Sequence, residues 1–278
     1  MTTALLTLLA LVAFAANSIF ARLALGTPSI DPASYTAVRL LTGAATLWLI
    51  ARFRRTSSPT TTEGNWTSAA MLFLYAATFS FAYVILTTGT GALILFAAVQ
   101  ITMIGFGLYA GERPSVHHWV GLVIAVTGLV YLVSPGVTAP STAGSLLMGT
   151  AGVAWGIYSI LGRRVNNPVH ATAGNFLRTV PMALLVLIFS SPSIAITGKG
   201  FLWATLSGSI TSAVGYVIWY AALPRLAATF AATVQLAVPA LAAIGGVVFL
   251  AERFTLRLIL SGVLILTGVG LAIFGRKK

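Results

Sequence analysis

Ten apolar runs separated by short polar breaks constrain the fold of this chain more than any other feature of its sequence. Each run is roughly 17 to 25 residues long, the length that an α-helix needs to cross the hydrocarbon core of a bilayer. The runs lie at 3–25, 34–51, 67–87, 91–110, 115–133, 143–162, 170–190, 201–221, 226–249 and 255–275. Only 7% of the residues are charged, against about 25% in soluble domains. The sequence therefore predicts an all-α membrane protein with ten transmembrane helices, numbered here as spans one to ten.

The net charge of +12 comes from Lys and Arg residues that fall between the apolar runs. This placement indicates contacts with lipid headgroups and signals for membrane topology rather than a nucleic-acid partner. The chain has no Cys, which excludes disulfides and Cys-based metal sites. It also contains neither a His-Glu-x-x-His nor a Gly-x-Ser-x-Gly motif. We therefore expect no metal, no cofactor and no enzymatic activity.

A corner built on Glu-Arg occurs twice. Tyr109–Val133 reads YAGERPSVHHWVGLVIAVTGLVYLV, and Phe249–Ile273 reads FLAERFTLRLILSGVLILTGVGLAI. Glu112 and Glu252 hold equivalent positions in the two copies, 252 − 112 = 140 residues apart. Five spans lie between the two corners, so the corners should face opposite sides of the membrane. The sequence thus predicts two inverted five-helix repeats, with the first over residues 1–137 and the second over 138–278.

The positions of Lys and Arg predict the orientation of the chain in the membrane. With a cytoplasmic N-terminus, the inner side receives Arg52, Arg54, Arg55, Arg113, Arg163, Arg164, Arg225, Arg276, Lys277 and Lys278. The outer side then receives Arg22, Lys199, Arg253 and Arg257. Because basic residues concentrate in cytoplasmic loops, this bias of ten to four predicts that both the N- and the C-terminus are cytoplasmic.

Several of these features together resemble the EamA family of the drug/metabolite transporter superfamily. They are the five-plus-five spans, the Glu-Arg corners that close spans four and nine, Arg39 and Arg178 in spans two and seven, Trp155 in span six, and the run TGTGALILF at 88–96. The resemblance implies a multi-pass transporter of the bacterial inner membrane that exports or exchanges small metabolites, with amino acids as the expected class. Many members carry a Trp in span one, where this chain has Ala16-Asn17 opposite Trp155-Gly156.

Such a transporter needs a polar-lined cavity between helices near the bilayer midplane. Polar side chains inside a membrane are costly, and they usually face protein or water. The candidates for substrate binding are the uncharged polar and aromatic residues deep in the spans: Asn17, Tyr83, Gln100, Trp155, Tyr158, Tyr216 and Gln235. An interhelical hydrogen bond or ordinary packing is the alternative role for each of them. Trp219 and Tyr220, near a span end, are assigned to an interfacial aromatic belt.

The four acidic residues lie in loops or at span ends, so no carboxylate sits at the midplane to relay a proton. A cavity without fixed charge fits neutral or zwitterionic substrates, although Arg39 or Arg178 could bind a carboxylate if either of them faces the pore. We expect a facilitator or exchanger that works by alternating access, with a lipid carrier or flippase of the same fold as the alternative and an intramembrane enzyme as the less favoured class. The expected partners are a small-molecule substrate and the lipid bilayer. The sequence leaves the oligomeric state open, with a monomer as one option.

Arg39 and Arg178 lie inside apolar runs and should find anionic partners, because a charged side chain in a membrane is expensive. The predicted topology places Arg39 near the face at which Glu252 ends span nine. It places Arg178 near the face at which Glu112 ends span four. The sequence therefore predicts crossed pairs between the repeats, Arg39 with Glu252 and Arg178 with Glu112, which act either as gates or as static staples.

Overall fold

The computed structural model describes residues 2–53, 63–133, 140–163, 165–190, 195–253 and 255–274. Within these ranges the chain forms ten helical spans. They are α1 (Thr3–Leu25), α2 (Pro32–Phe53), α3 (Trp66–Ile85), α4 (Thr88–Tyr109), α5 (Val116–Val133), α6 (Thr142–Gly162), α7 (Pro168–Phe189), α8 (Gly198–Arg225), α9 (Ala228–Leu250) and α10 (Leu256–Phe274). Seven of them, all except α2, α5 and α10, are long and apolar enough to cross a membrane. The predicted all-α membrane fold is confirmed.

Helix packing across the two halves follows one repeated pattern. α1 packs on α8 and α9, just as α6 packs on α3 and α4, and α2 packs on α8 as α7 packs on α3. Three helices also pack on their own counterparts: α2 on α7, α4 on α9, and α5 on α10. Two halves related by a pseudo-two-fold axis give this arrangement, so the ten helices form two inverted five-helix repeats.

Several helices begin where the sequence supplies a capping side chain. Thr2, Asn65, Ser141, Asn167 and Thr197 each accept a hydrogen bond from a backbone N–H in the first turn of the helix that follows. Side chains of this kind satisfy amides that have no partner inside the helix. α4 and α9 differ, because the residues before them, Thr87 and Ala227, make no such bond.

Two spans near the centre of the bundle depart from a regular α-helix. α8 consists of α-helix Gly198–Leu206, π-helix Ser207–Val214, α-helix Gly215–Ala222 and 3₁₀-helix Leu223–Arg225. α9 consists of Ala228–Gln235 and Ala237–Leu250. The interruption in α9 is explained by Pro239, since proline lacks an N–H and its ring clashes with the carbonyl four residues earlier, which belongs to Gln235. Short π-helical segments occur frequently at functional sites.

Close helix contacts at glycines bring α6 against α4. A Cβ at Gly152 would lie 2.6 Å from the Cβ of Ala98, and one at Gly156 would lie 2.8 Å from the Cβ of Thr102. Small residues at such positions allow membrane helices to approach closely. Trp155 lies next to Gly156 in this contact segment of α6.

The predicted repeat boundary at 137 and 138 lies outside the described residues. So do six of the basic residues used for the topology prediction: Arg54, Arg55, Arg164, Arg276, Lys277 and Lys278. The structure contains no membrane, and the predicted orientation therefore stays a prediction.

The two ends of the helix bundle are named after their glutamates. The Glu112 end contains Glu112, Arg163 and the start of α9, and the Glu252 end contains Glu252, Arg22 and the start of α4.

Candidate functional site

Five aromatic side chains from α1, α3, α6 and α8 pack together inside the bundle, and we call them the central aromatic cluster: Phe14, Tyr75, Trp155, Tyr158 and Tyr216. The ring of Trp155 lies in the middle, with its centroid 4.6 Å from Tyr216, 5.1 Å from Tyr75, 5.2 Å from Phe14 and 5.5 Å from Tyr158. All five side chains are buried. Helices of both repeats contribute, so the cluster lies at the interface between the two halves.

Arg39 of α2 is buried beside this cluster, with 1% of its surface exposed. Its Nε donates to the Ser212 hydroxyl at 2.9 Å, and its Nη2 donates to the hydroxyls of Tyr216 at 2.6 Å and Tyr75 at 3.1 Å. The guanidinium carbon lies 5.0 Å from the ring centroid of Tyr75 and 4.9 Å from that of Phe79. Nη1 has no hydrogen-bond partner among the described residues.

Asn17 of α1 joins α3 and α8 through its amide group. Its Oδ1 accepts hydrogen bonds from Ser207 at 2.7 Å and Thr211 at 3.1 Å, and its Nδ2 donates to the Tyr75 hydroxyl at 3.2 Å. Ser207, Thr211 and Ser212 all belong to the π-helix, whose five-residue hydrogen-bond spacing brings these hydroxyls to one face. Asn17, Tyr75, Arg39 and Tyr216 therefore form one buried hydrogen-bonded network.

Gln235 of α9 completes the site from the other side. The Nε1 of Trp155 donates to its Oε1 at 2.9 Å, and its own Nε2 donates to the carbonyl of Ala231 at 3.1 Å and lies 3.5 Å from the Sδ of Met103. Gln235 is the last residue before the interruption in α9. The helix break thus positions the amide that holds the indole of Trp155.

Two of the residues predicted from the sequence lie away from the cluster. Tyr83 is near the end of α3, where its hydroxyl donates to the carbonyl of Thr88 at 3.2 Å and its ring packs on Phe79. Gln100 lines a cavity of about 20 Å³ beside Ala125 and Ile265, and its buried Oε1 accepts no hydrogen bond from the described residues. Within the described part of the chain, neither side chain forms a ring contact or hydrogen bond with the central aromatic cluster.

The assignment of Trp219 and Tyr220 to an interfacial belt is wrong. Both are fully buried. Trp219 donates through Nε1 to the Ser159 hydroxyl at 3.2 Å, and Tyr220 donates to the Tyr158 carbonyl at 3.0 Å. Since the 3₁₀ turn extends α8 to Arg225, these two residues lie farther from the helix end than the sequence suggested. Tyr220 stacks on Tyr158, and Trp219 packs on Phe14.

The predicted crossed charge pairs, Arg39 with Glu252 and Arg178 with Glu112, are also wrong, because both glutamates form ion pairs with other arginines. Glu252 pairs with Arg22 at 3.6 Å and Glu112 pairs with Arg163 at 3.5 Å. Arg39 lies too deep in its helix and binds the central hydroxyls instead. Arg178 donates to the carbonyl of Gly174 in its own helix at 2.9 Å and forms no ion pair with Glu112 in the described residues. Each observed pair still joins one repeat to the other.

The two glutamates also cap the helices that lack caps of their own. At the Glu252 end, the Glu252 carboxylate accepts bonds from the Thr88 amide at 3.0 and 3.1 Å and from the Thr88 hydroxyl at 3.0 Å. At the Glu112 end, the Glu112 carboxylate accepts bonds from the amides of Ala228 at 2.9 Å and Thr229 at 3.1 Å. Carboxylates are favourable there, because a helix N-terminus carries partial positive charge.

Burial by itself raises the pKa of the Glu112 carboxyl. The amide hydrogen bonds from Thr229 and Ala228 and the charge of Arg163 oppose it, and together they hold that pKa below its ordinary value. Glu112 is therefore a carboxylate at neutral pH. A charged group of this kind can hold the start of α9 without any metal ion, and the described residues contain no group of three or more His, Cys, Asp and Glu side chains that could bind one.

Sequence reasoning missed several members of this site. Tyr75 belongs to an aromatic stripe at four-residue spacing, Tyr75, Phe79 and Tyr83, which is visible in the sequence of span three. The hydroxyl-rich run Ser207 to Ser212 in span eight is a second available signal. Arg22 and Arg163 hold equivalent places in the two repeats at the span ends, 163 − 22 = 141 residues apart, close to the 140-residue offset of the two glutamates.

Comparisons with known proteins agree with this architecture. The chain matches the EamA-like transporter family over residues 1–134 and 142–274. An uncharacterized protein of Pseudomonas aeruginosa is 45% identical over 274 residues, which are 99% of this chain and 95% of that protein. The uncharacterized transporter YoaV of Bacillus subtilis is 25% identical over 259 residues, 88% of each chain.

A more distant relative has a named substrate. The threonine/homoserine exporter RhtA of Escherichia coli (strain K12) is 30% identical over 180 residues, 62% of this chain and 59% of that protein. A solved crystal structure that is 22% identical has a TM-score of 0.73 and covers 96% of this chain and 99% of its own, which supports the fold alone. With both halves matched by the family and ten helices in two inverted repeats, the chain belongs to the EamA-like transporter family, a family of membrane transporters and not of enzymes.

Proposed function

We propose that this protein exports or exchanges small neutral or zwitterionic metabolites, with amino acids as the main class, across the bacterial inner membrane. The substrate site in this proposal is the central aromatic cluster together with Asn17 and Gln235. One observation carries it: buried aromatic rings and amides from helices of both inverted repeats pack together inside the bundle. Transporters built from inverted repeats bind their substrates at that interface.

The chemistry of the site supports a zwitterionic substrate. Aromatic faces attract ammonium groups, and Arg39 supplies a positive charge for an anionic group. The amides and hydroxyls of the site bond to one another in this structure, and they can exchange those bonds for bonds to a substrate at low net cost. The relative RhtA is named as a threonine/homoserine exporter, which supports amino acids as the substrate class.

The closed glutamate caps at both ends support alternating access as the mechanism. A substrate reaches the buried site only if one end opens, and opening both ends together would produce a leak. We therefore propose that the Glu112 end and the Glu252 end open in turn. Both repeats of one chain supply the site, so a monomer is the proposed functional unit, with residues 1–137 and 138–278 as its halves and both termini cytoplasmic.

Counterflow into proteoliposomes tests the function. Purified protein is reconstituted with an excess of one unlabelled test compound inside, and uptake of the same compound in labelled form is measured from outside. The test compounds are threonine, homoserine, other amino acids and uncharged metabolites, each in turn. We expect transient accumulation of at least one amino acid above protein-free vesicles. Accumulation of uncharged metabolites alone would reject amino acids as the substrate class.

A lipid carrier is the second candidate, and one observation favours it. A groove of about 450 Å³ between α3 and α6 has a mostly apolar lining that includes Met71, Leu74, Leu146 and Val153. A fluorescent-phospholipid translocation assay on the same proteoliposomes separates the two functions. Protein-dependent lipid translocation with no amino-acid counterflow would favour the lipid carrier.

A further inference from the structure

We propose that Arg39 binds the carboxylate of the transported substrate and so restricts transport to metabolites that carry one. The inference rests on the proposed function, since it names the group that the same site recognises. It concerns one side chain of α2 that the observed ion pairs leave without an anionic partner.

The charge balance around Arg39 is the first argument. None of the four acidic residues, all of which the structure describes, pairs with it. Glu112 and Glu252 are engaged at the two ends of the bundle, and Asp31 bonds to the amides that begin α2 and to the Ala195 amide. A buried charge without a counter-charge is costly, and an Arg side chain keeps its charge because it does not deprotonate in proteins. An anion that enters and leaves would balance this charge during transport.

The hydrogen bonds of Arg39 are the second argument. Both hydrogens of Nη2 are used by the hydroxyls of Tyr216 and Tyr75, and Nε is used by Ser212. The two hydrogens of Nη1 have no partner among the described residues, although the side chain is 99% buried. One carboxylate oxygen can bind Nη1 directly, and the other can replace a tyrosine hydroxyl at Nη2. Such a paired contact between guanidinium and carboxylate is among the stronger hydrogen-bond arrangements in proteins.

The neighbours of Arg39 are the third argument. Tyr75 and Tyr216 bond to Arg39 through their hydroxyls, and their rings pack on the indole of Trp155 at 5.1 and 4.6 Å. A carboxylate bound to Arg39 therefore brings the adjacent carbon atom of the substrate toward the rings of the central aromatic cluster. In an amino acid, that carbon carries the ammonium group, which aromatic faces attract. The arrangement fits an α-amino acid better than an amine or an uncharged metabolite.

A purely structural role for Arg39 is the competing explanation, because its bonds to Ser212 and Tyr216 join α2 to α8. Loss of transport in an Arg39 variant fits both explanations. The decisive test therefore varies the substrate on the unaltered protein. Counterflow of a labelled amino acid is measured against increasing concentrations of the same unlabelled amino acid, its primary amide, its methyl ester and the amine that lacks the carboxylate.

We expect each derivative without a free carboxylate to compete at least about tenfold more weakly than the amino acid, the effect of losing one charge-assisted contact. Competition within about twofold by the amide, ester or amine overturns the inference. If the proposed amino-acid transport is wrong, the counterflow assay gives a different result. If a carboxylic acid without an ammonium group is transported and no amino acid is, the amino-acid function fails and the role of Arg39 stands.

Two variants extend the test. Arg39→Lys keeps the charge and loses the planar pair of donors, and Arg39→Gln removes the charge. In reconstituted Arg39→Gln, we expect the remaining counterflow to show no preference for the acid over its amide. Arg178→Gln is the matched control, because among the described residues Arg178 bonds only to a carbonyl of its own helix, and it should keep the wild-type preference. If Arg39→Gln keeps that preference, or if Arg178→Gln loses it, the assignment to Arg39 is overturned. The derivative series on the wild-type protein decides the question even if Arg39→Gln does not fold.

Discussion

At the scale of single residues, the sequence predicts which polar and aromatic side chains lie within the spans, but not the face that each of them occupies. Gln100 and Gln235 lie inside spans four and nine, yet of these two only Gln235 bonds to the cluster in the described part of the chain. In a soluble helix, the apolar stripe reveals which face is buried. A membrane helix is apolar toward lipid and toward protein, so this signal is weak. For the same reason Tyr75 was missed, although it bonds to both Asn17 and Arg39.

Trp155→Phe tests the bond between the indole and Gln235. The substitution keeps an aromatic ring and removes the Nε1 donor, which leaves the fully buried Oε1 of Gln235 without that hydrogen bond. A buried acceptor that loses its donor costs about 1–3 kcal/mol, and we expect the initial counterflow rate to fall roughly tenfold. Trp66→Phe is the control, because Trp66 is 60% exposed. An unchanged rate in Trp155→Phe would remove Trp155 from the proposed site.

At the scale of helices, the apolar runs predicted which elements exist, and tertiary contacts moved their ends. The fourth run was placed at 91–110, whereas α4 begins at Thr88. The extra turn is explained by the Glu252 carboxylate, which satisfies the Thr88 amide from 164 residues away. The π-helix in α8 was equally inaccessible from local sequence, because Asn17 and Arg39 on other helices bind the hydroxyls that it presents.

Glu112→Gln tests the cap at the start of α9. The variant loses the charge that the helix N-terminus and Arg163 favour, and we expect its thermal unfolding temperature in detergent at pH 7 to lie a few degrees below that of the wild type. The pKa of Glu112 is lower in the folded state than in the unfolded chain. Its contribution to the free energy of unfolding is therefore fully present above the ordinary carboxyl pKa, and it is lost as the pH falls through the folded-state pKa. The two unfolding temperatures should therefore converge in acid. A difference that stays constant from pH 7 to pH 3 would exclude this electrostatic origin.

At the scale of the whole molecule, the Glu-Arg repeat predicted the inverted architecture before any contact was known. An odd number of spans between two equivalent corners requires that they face opposite sides of the membrane. The structure places Glu112 and Glu252 at opposite ends of the α4–α9 pair. The specific arginine partners could not be predicted, because sequence spacing does not show how far a side chain at a span end reaches across to the other repeat.

Reporter fusions test the proposed orientation. Alkaline phosphatase is active only outside the cytoplasm, and green fluorescent protein exported in unfolded form is fluorescent only inside it. A fusion after Lys278 should report the cytoplasm, and an insertion between α5 and α6 should report the outer side, because an odd number of spans separates the two positions. If both positions report the same side, the inverted-repeat topology is contradicted. If the fusion after Lys278 reports the outer side and the insertion reports the cytoplasm, the proposed orientation is reversed.

The reciprocal glutamate caps bear on the ancestry of this chain. α4 belongs to the first half and is capped by Glu252 of the second, and α9 belongs to the second half and is capped by Glu112 of the first. Neither half caps the start of its own helix. A half-length ancestor with the same corner would have completed its caps only with a second copy inserted upside down in the same membrane. Gene fusion would then have fixed the two opposite orientations in one polypeptide, after which each glutamate was free to acquire different neighbours.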